Sequence, residues 1–241
     1  VVLLHGFIFN LEPAWVAGGQ FGALAERNRV AALDLRGHGR SGKPHDAGSY
    51  GLEMVHDVLR LMDMLEVERA HVIGYSLGAI LASKLLEVAP ERLLSLVLGG
   101  AGAVRIGDPV HRSWVALATS LEGVRPGTPL SSHFWPNERE RPPREIQQLV
   151  DDNDPAALAA VARGMFDVTV DDDTLRSNRV PILAICGEHD PARSSVTAMS
   201  GVTGHFTMHV VPGLDHHTLP ASKEFRAAIR KFIANPDAAE I

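Results

Sequence analysis

A chain of 241 residues with 45% hydrophobic content is long enough to bury one sizeable core, with room for an inserted subdomain. Its formal net charge of −6, from 23 basic against 29 acidic side chains, offers no broad basic face for a phosphate backbone, so nucleic acid is not an expected partner. One cysteine, Cys186, excludes an internal disulfide and a cysteine-rich metal site; no run approaches the ~18 apolar residues of a membrane span and "VVLLHGF" carries no basic leader, so a cytoplasmic protein away from membranes is expected.

In chain order, "VVLL" (1 to 4), "RVAALDL" (29 to 35), "AHVIG" (70 to 74), "LLSLVLG" (93 to 99), "VPILAICG" (180 to 187) and "FTMHVV" (206 to 211) are apolar on both faces, the pattern of buried parallel strands. Between them run helical stripes: Leu52, Val55, Leu59, Met62 and Leu65, then Leu77 to Ala89, and finally Phe225 to Ile233. This alternation predicts an α/β fold with a mostly parallel sheet flanked by helices.

After the second strand, "RGHGRSGKP" fits two phosphate-binding patterns at once, G-x-G-x-x-G and G-x-x-x-x-G-K. A dinucleotide fingerprint needs its glycines to open a helix, and here the Pro- and Gly-broken "KPHDAGSYG" follows. The Walker pattern fails because Pro44 stands where Ser or Thr would hold magnesium. The stretch reads as a glycine-rich turn in which His38 packs or hydrogen bonds.

Residues 100 to 179 break the alternation. They lack a convincing strand but hold two helix starts, Asp108-Pro109 and Asp154-Pro155, each with Asp at the cap and Pro at the first helical position. The expected division is therefore a core of 1–99 and 180–241 with a helical insertion at 100–179. The Pro-rich piece "RPGTPL...WPNERERPPRE" (125 to 145) reads as loop between helices, and "DDND" and "DDD" as solvated turns rather than metal sites.

The chemistry centres on Gly74-Tyr75-Ser76-Leu77-Gly78, a G-x-S-x-G pattern between a strand and a helix. A sharp turn there strains the serine backbone and leaves no room for side chains two residues to either side. Serine needs a base to take its proton and a carboxylate to orient that base. The loop after the fifth strand supplies Glu188-His189-Asp190, and the loop after the sixth supplies Asp215-His216-His217. The competing acid position, after "LLSLVLG", has no carboxylate until Asp108, so Asp190 is the candidate acid. Leu77, following the nucleophile, is a candidate oxyanion donor through its backbone N–H.

With "LLHGF", "LDLRGHGRSG", "GYSLG", "GEHDP" and "PGLDH" in this order, the chain resembles the α/β-hydrolase superfamily, in particular its lidded serine esterases. The resemblance covers nearly everything outside the insertion. It selects His216 over His217 as the base and implies Phe7 as the second oxyanion donor. It makes the insertion a cap over the site, with Trp114, Phe134, Trp135, Met165 and Phe166 as pocket candidates. It implies hydrolysis of a small-molecule carboxylic ester without cofactor or metal. C–C bond hydrolysis, lactone hydrolysis, cofactor-free perhydrolysis and ligand binding without turnover share the same constellation. The resemblance also implies two further strands ahead of "VVLL". Without them residues 29 to 35 would form an open sheet edge, so either a homodimer or a longer natural chain is expected.

Overall fold

The computed structural model describes residues 1–238, and the six apolar runs form the strands of one sheet. These are β1 (Val2–Leu4), β2 (Ala31–Leu33), β3 (Ala70–Tyr75), β4 (Leu93–Gly99), β5 (Ile182–Gly187) and β6 (Phe206–Val211). They lie in the order β2-β1-β3-β4-β5-β6, and every neighbouring pair is parallel.

Alternate residues of each strand face opposite layers of helix. On one side Leu3, Ile73, Val97, Leu183 and Ile185 meet Trp15 of a π-type turn (Glu12–Val16), Leu24 of α1 (Gln20–Ala25) and Phe225, Ile229 and Phe232. On the other, Leu4, Val72, Leu96 and Ala184 pack under Met54, Val58 and Met62 of α2 (Leu52–Met64) and Leu81 and Leu85 of α3 (Leu77–Val88). Each such side chain removed from water contributes about 1.5–3 kcal/mol.

The strand order reverses direction at β1. The chain leaves β1 toward α1 on one face and leaves β3 toward α3 on the other, so a crevice opens between the two departing loops at the carboxyl ends of the strands.

Residues 100–179 contain no strand. They carry α4 (Val110–Glu122), α5 (Leu130–Phe134), α6 (Arg144–Asp151), α7 (Pro155–Gly164) and α8 (Asp172–Ser177). Leu121, Leu130, Val150 and Leu158 form a separate small core, which closes on Ile8 from the loop after β1. At its base, Val170 N–H donates to the Val104 carbonyl at 2.8 Å, and Lys84 of α3 donates to the Thr169 carbonyl at 2.7 Å. After β5 comes α9 (Arg193–Met199), and after β6 comes α10 (Lys223–Ala234).

Several local features differ from the sequence pattern. The "RVAALDL" strand contracts to Ala31–Leu33, at the sheet edge and paired with β1 alone, because Asp34 and Leu35 turn away to bond elsewhere. The stretch expected to be loop holds α5 and a single turn at Glu138–Glu140; Pro129 sits just ahead of α5, where its missing N–H costs nothing. The "DDND" and "DDD" turns are helix caps: Asp154 accepts from Ala156 and Ala157 N–H, and Asp171 accepts from Thr174 N–H. Among the described residues no helix is long and apolar enough to cross a membrane.

Asp154 does two jobs, capping α7 and accepting a 2.7 Å contact from His45 of the core. Asp154→Ala is expected to cost about 1 kcal/mol, read as a lower urea midpoint at unchanged m-value. Asp154→Asn keeps a capping oxygen and should lose less. Equal midpoints for Asp154→Ala and the wild type would contradict this.

Candidate active site

The turn between β3 and α3 is dictated by sterics. A Cβ on Gly74 would overlap the Gly78 carbonyl, and one on Gly78 would overlap the Leu4 carbonyl, so both positions exclude any side chain. The intervening Ser76 is held at φ 52° and ψ −115°, a left-handed conformation that costs a non-glycine residue on the order of 1–3 kcal/mol. Ser76 N–H donates to the Gly99 carbonyl at 2.8 Å, and the Ser76 carbonyl accepts from Ala79 and Ile80, which locks the strained turn at both ends. The side chain thereby stands at the carboxyl ends of the strands, with Oγ 3.0 Å from His216 Nε2.

His216 and Asp190 arrive from the loops after β6 and β5. His216 Nε2 lies 3.0 Å from Ser76 Oγ, and His216 Nδ1 lies 3.0 and 3.1 Å from the two Asp190 carboxylate oxygens. The Asp190 side chain is fully buried, and Ala192 N–H also donates to it at 2.8 Å. With Nδ1–H donating to Asp190, the Nε2 lone pair is left facing the serine hydroxyl. Three residues 26 and 140 positions apart in sequence thus form one continuous chain of hydrogen bonds. His217 points to solvent, and its backbone N–H is taken by Asp215. Three surface clefts, near Arg69 and Pro181, near Asp34 and Glu145, and near Val1 and His71, are not lined by Ser76; the site is defined by its chemistry.

The loop after β1 runs beside the serine: a Cβ on Gly6 would stand 3.3 Å from Ser76 Cβ and 3.9 Å from its Oγ. Among the described residues neither Phe7 N–H nor Leu77 N–H has a hydrogen-bond partner. His5 fixes this loop. Leu35 N–H donates to its Nε2 at 2.8 Å, so its Nδ1–H donates to the Gly6 carbonyl, also at 2.8 Å. His38, from the glycine-rich turn, stacks edge-on against both His5 and Phe7 at 5.3 and 5.6 Å. That turn closes on itself: Asp34 accepts from Arg40 N–H, Ser41 Oγ donates to the Asp34 carbonyl, and Lys43 donates to the Gly39 and Ser41 carbonyls. Its lysine is spent inside the turn, in keeping with a structural role.

The pocket candidates separate into two groups. Phe7 lies edge-on to Trp114 at 5.6 Å and to Phe134 at 6.5 Å, and Trp135 extends the cluster from Phe134 at 6.2 Å. Met165 and Phe166 do not join it. They occupy successive positions of a tight turn after α7, which sends Met165 into the main core and Phe166 outward, 53% exposed against His111. Two participants escape the sequence pattern. The Tyr75 hydroxyl donates to the His216 carbonyl at 2.6 Å, and Gly213 N–H donates to Glu188 at 2.9 Å, tying the acid loop to the histidine loop.

An Asp-His-Ser chain anchored on a buried carboxylate at the carboxyl edge of a parallel sheet, with two free backbone N–H groups beside it, defines a hydrolase-type site on an α/β scaffold. The chain belongs to the alpha/beta hydrolase fold family, which matches residues 1–217. Among curated proteins it is 32% identical, over 177 residues, to the dihydrolipoyllysine-residue acetyltransferase component of the acetoin cleaving system of Cupriavidus necator; the match covers 69% of this chain and 44% of that protein, so the chain spans under half of its length. Among solved structures it resembles a hydrolase from Pseudomonas aeruginosa PA01, with 27% identity and a TM-score of 0.82 over 96% of this chain and 88% of that one. It also resembles the enol-lactonase of Burkholderia xenovorans LB400, with 25% identity and a TM-score of 0.80 over 97% and 90%.

Burial lowers the pKa of His5 from 6.5 to about 4 and that of His38 from 6.5 to about 3. Both are neutral in the folded chain while the unfolded chain binds their protons near the ordinary value, so unfolding takes up protons and stability falls as the pH drops below about 6.5. Urea unfolding from pH 7.5 to 4.5 is expected to give a steadily falling free energy. A flat profile between pH 7 and 5 would contradict this assignment of the two histidines.

Proposed function

We propose that this chain is a serine hydrolase that cleaves carboxylic esters through an acyl-enzyme on Ser76. The observation that carries the reading is the unbroken line of hydrogen bonds from Asp190 through His216 to Ser76 Oγ. His216 Nε2 takes the Ser76 proton as Oγ attacks the ester carbonyl carbon, and the carbonyl oxygen becomes an oxyanion. The unpaired N–H groups of Phe7 and Leu77 receive that charge, in a site where fixed donors need no reorganisation. Collapse of the tetrahedral intermediate breaks the bond to the alcohol, which leaves with the proton from His216. Water then attacks the acyl carbonyl, again giving its proton to His216, and as the carboxylic acid departs Ser76 Oγ takes that proton back from His216 Nε2. Asp190 fixes the imidazole tautomer and offsets its positive charge in both halves of the cycle.

In this reading residues 100–179 are the cap, and Phe7, Trp114 and Phe134 provide an apolar wall for the acyl or alcohol group. A lactone is a second substrate form, favoured by the similarity to an enol-lactonase. A lactone is a cyclic ester and would pass through the same intermediate, with its alcohol still tethered.

The test is turnover of p-nitrophenyl acyl esters. Ser76→Ala and His216→Ala are each expected to lower kcat by at least about 10³-fold while leaving the fold intact by circular dichroism. His217→Ala should cost under about tenfold, since its ring lies in solvent. Retention of more than about a tenth of wild-type turnover by Ser76→Ala would remove the nucleophile assignment, and a larger loss at His217 than at His216 would remove the base.

A further inference from the structure

Tyr75 immediately precedes Ser76, yet its side chain leaves the strand on the opposite side of the sheet from α3 and joins the core beneath α10. Its ring stands edge-on to Phe225 at 5.7 Å and 90°, and lies tilted against the imidazole of His216 at 5.4 Å. Its hydroxyl donates to the His216 backbone carbonyl at 2.6 Å. Among the described residues no other side chain bonds that carbonyl. The remaining ties of the histidine loop fall on its neighbours: Asp215 accepts from His217 N–H, Thr218 N–H and the Thr218 hydroxyl, and Glu188 accepts from Gly213 N–H.

The carboxyl end of β4 closes the remaining side of this contact. Gly100, at φ 63°, passes so near that a Cβ there would stand 2.9 Å from the Tyr75 hydroxyl and 3.1 Å from His216 Cε1. The tyrosine is 7% exposed, and burial raises its pKa well above the ordinary value, so the hydroxyl keeps its proton wherever hydrolysis is measured. The donor therefore does not switch off with pH.

Resting on the serine-hydrolase reading above, we propose that Tyr75 is a positioning residue that sets the separation of Ser76 and His216. Its backbone is covalently joined to the serine, and its hydroxyl holds the main chain of the histidine. One rigid side chain thus spans the two reacting residues from behind, and the 3.0 Å approach of Nε2 to Oγ depends on it. Asp190 orients the ring about its own axis, whereas Tyr75 fixes where the ring is anchored.

The experiment compares Tyr75→Phe with wild type in the full chain, using p-nitrophenyl acetate and counting competent sites by end-point labelling with a fluorophosphonate. Phenylalanine keeps the ring contacts with Phe225 and His216 and removes only the hydroxyl. The expected result is a fall in kcat per labelled site of about 10- to 100-fold with KM within about twofold, because small misplacement of a reacting group costs rate rather than binding. An unchanged kcat per labelled site, even with a lower melting temperature, would overturn the proposal and leave Tyr75 as packing. A loss carried by KM would overturn it equally. Ser76→Ala measured alongside separates the two levels. If that variant turns over normally, the serine reading fails and this proposal with it. If it is inactive while Tyr75→Phe is unaffected, only the role of Tyr75 fails.

Discussion

Everything in this site depends on how closely α3 approaches the end of β1. At Gly78 the helix backbone comes so near the Leu4 and His5 carbonyls that no side chain fits between them, and the same crowding recurs between Gly74 and Gly78. This contact forces the turn after β3 to be sharp enough to hold Ser76 in left-handed backbone geometry. It also brings the loop after β1 alongside the serine, so that Gly6, next to Phe7, and Leu77 both lie against Ser76. A more relaxed turn would spread these groups apart. The strain is offset by the packing of α3, whose buried residues Leu77, Leu81 and Leu85 are anchored in the main core.

The rest of the molecule supports that arrangement from outside. His5, neutral and buried, bridges Leu35 N–H and the Gly6 carbonyl, so the loops after β1 and β2 are tied together. His38 stacks edge-on against both His5 and Phe7, and the helical insertion builds its own small core on Ile8, one residue beyond Phe7. The same short loop therefore touches Ser76, the aromatic cluster of Trp114 and Phe134, and the small core of the insertion.

Much of this was legible in the sequence because it is local. Strands apolar on both faces, a G-x-S-x-G between strand and helix, and acid and histidine in loops after later strands each leave a compact signature. The parallel sheet follows from the alternation, and Asp154 and Asp171 act on their own next few residues. What was missed is non-local or depends on direction. Tyr75 is visible in "GYSLG" only as a variable position, since its partner lies 141 residues away and the contact is to a backbone carbonyl, which has no sequence signature. Met165 and Phe166 are equally apolar as letters, but a tight turn points one into the core and the other into solvent. The shortened β2 reflects Asp34, whose carboxylate takes Leu11 and Arg40 N–H and so ends the strand early.

The central claim is that Ser76 carries the acyl group between the two half-reactions. The most direct measurement mixes the protein with a short-chain p-nitrophenyl ester, quenches in acid within the first turnovers and analyses the digested protein by mass spectrometry. The account predicts a burst of p-nitrophenol and a peptide containing Ser76 heavier by one acyl group, with no such peptide from Ser76→Ala. Turnover at the wild-type rate by Ser76→Ala, or an acyl group carried by a different residue during turnover, would contradict it.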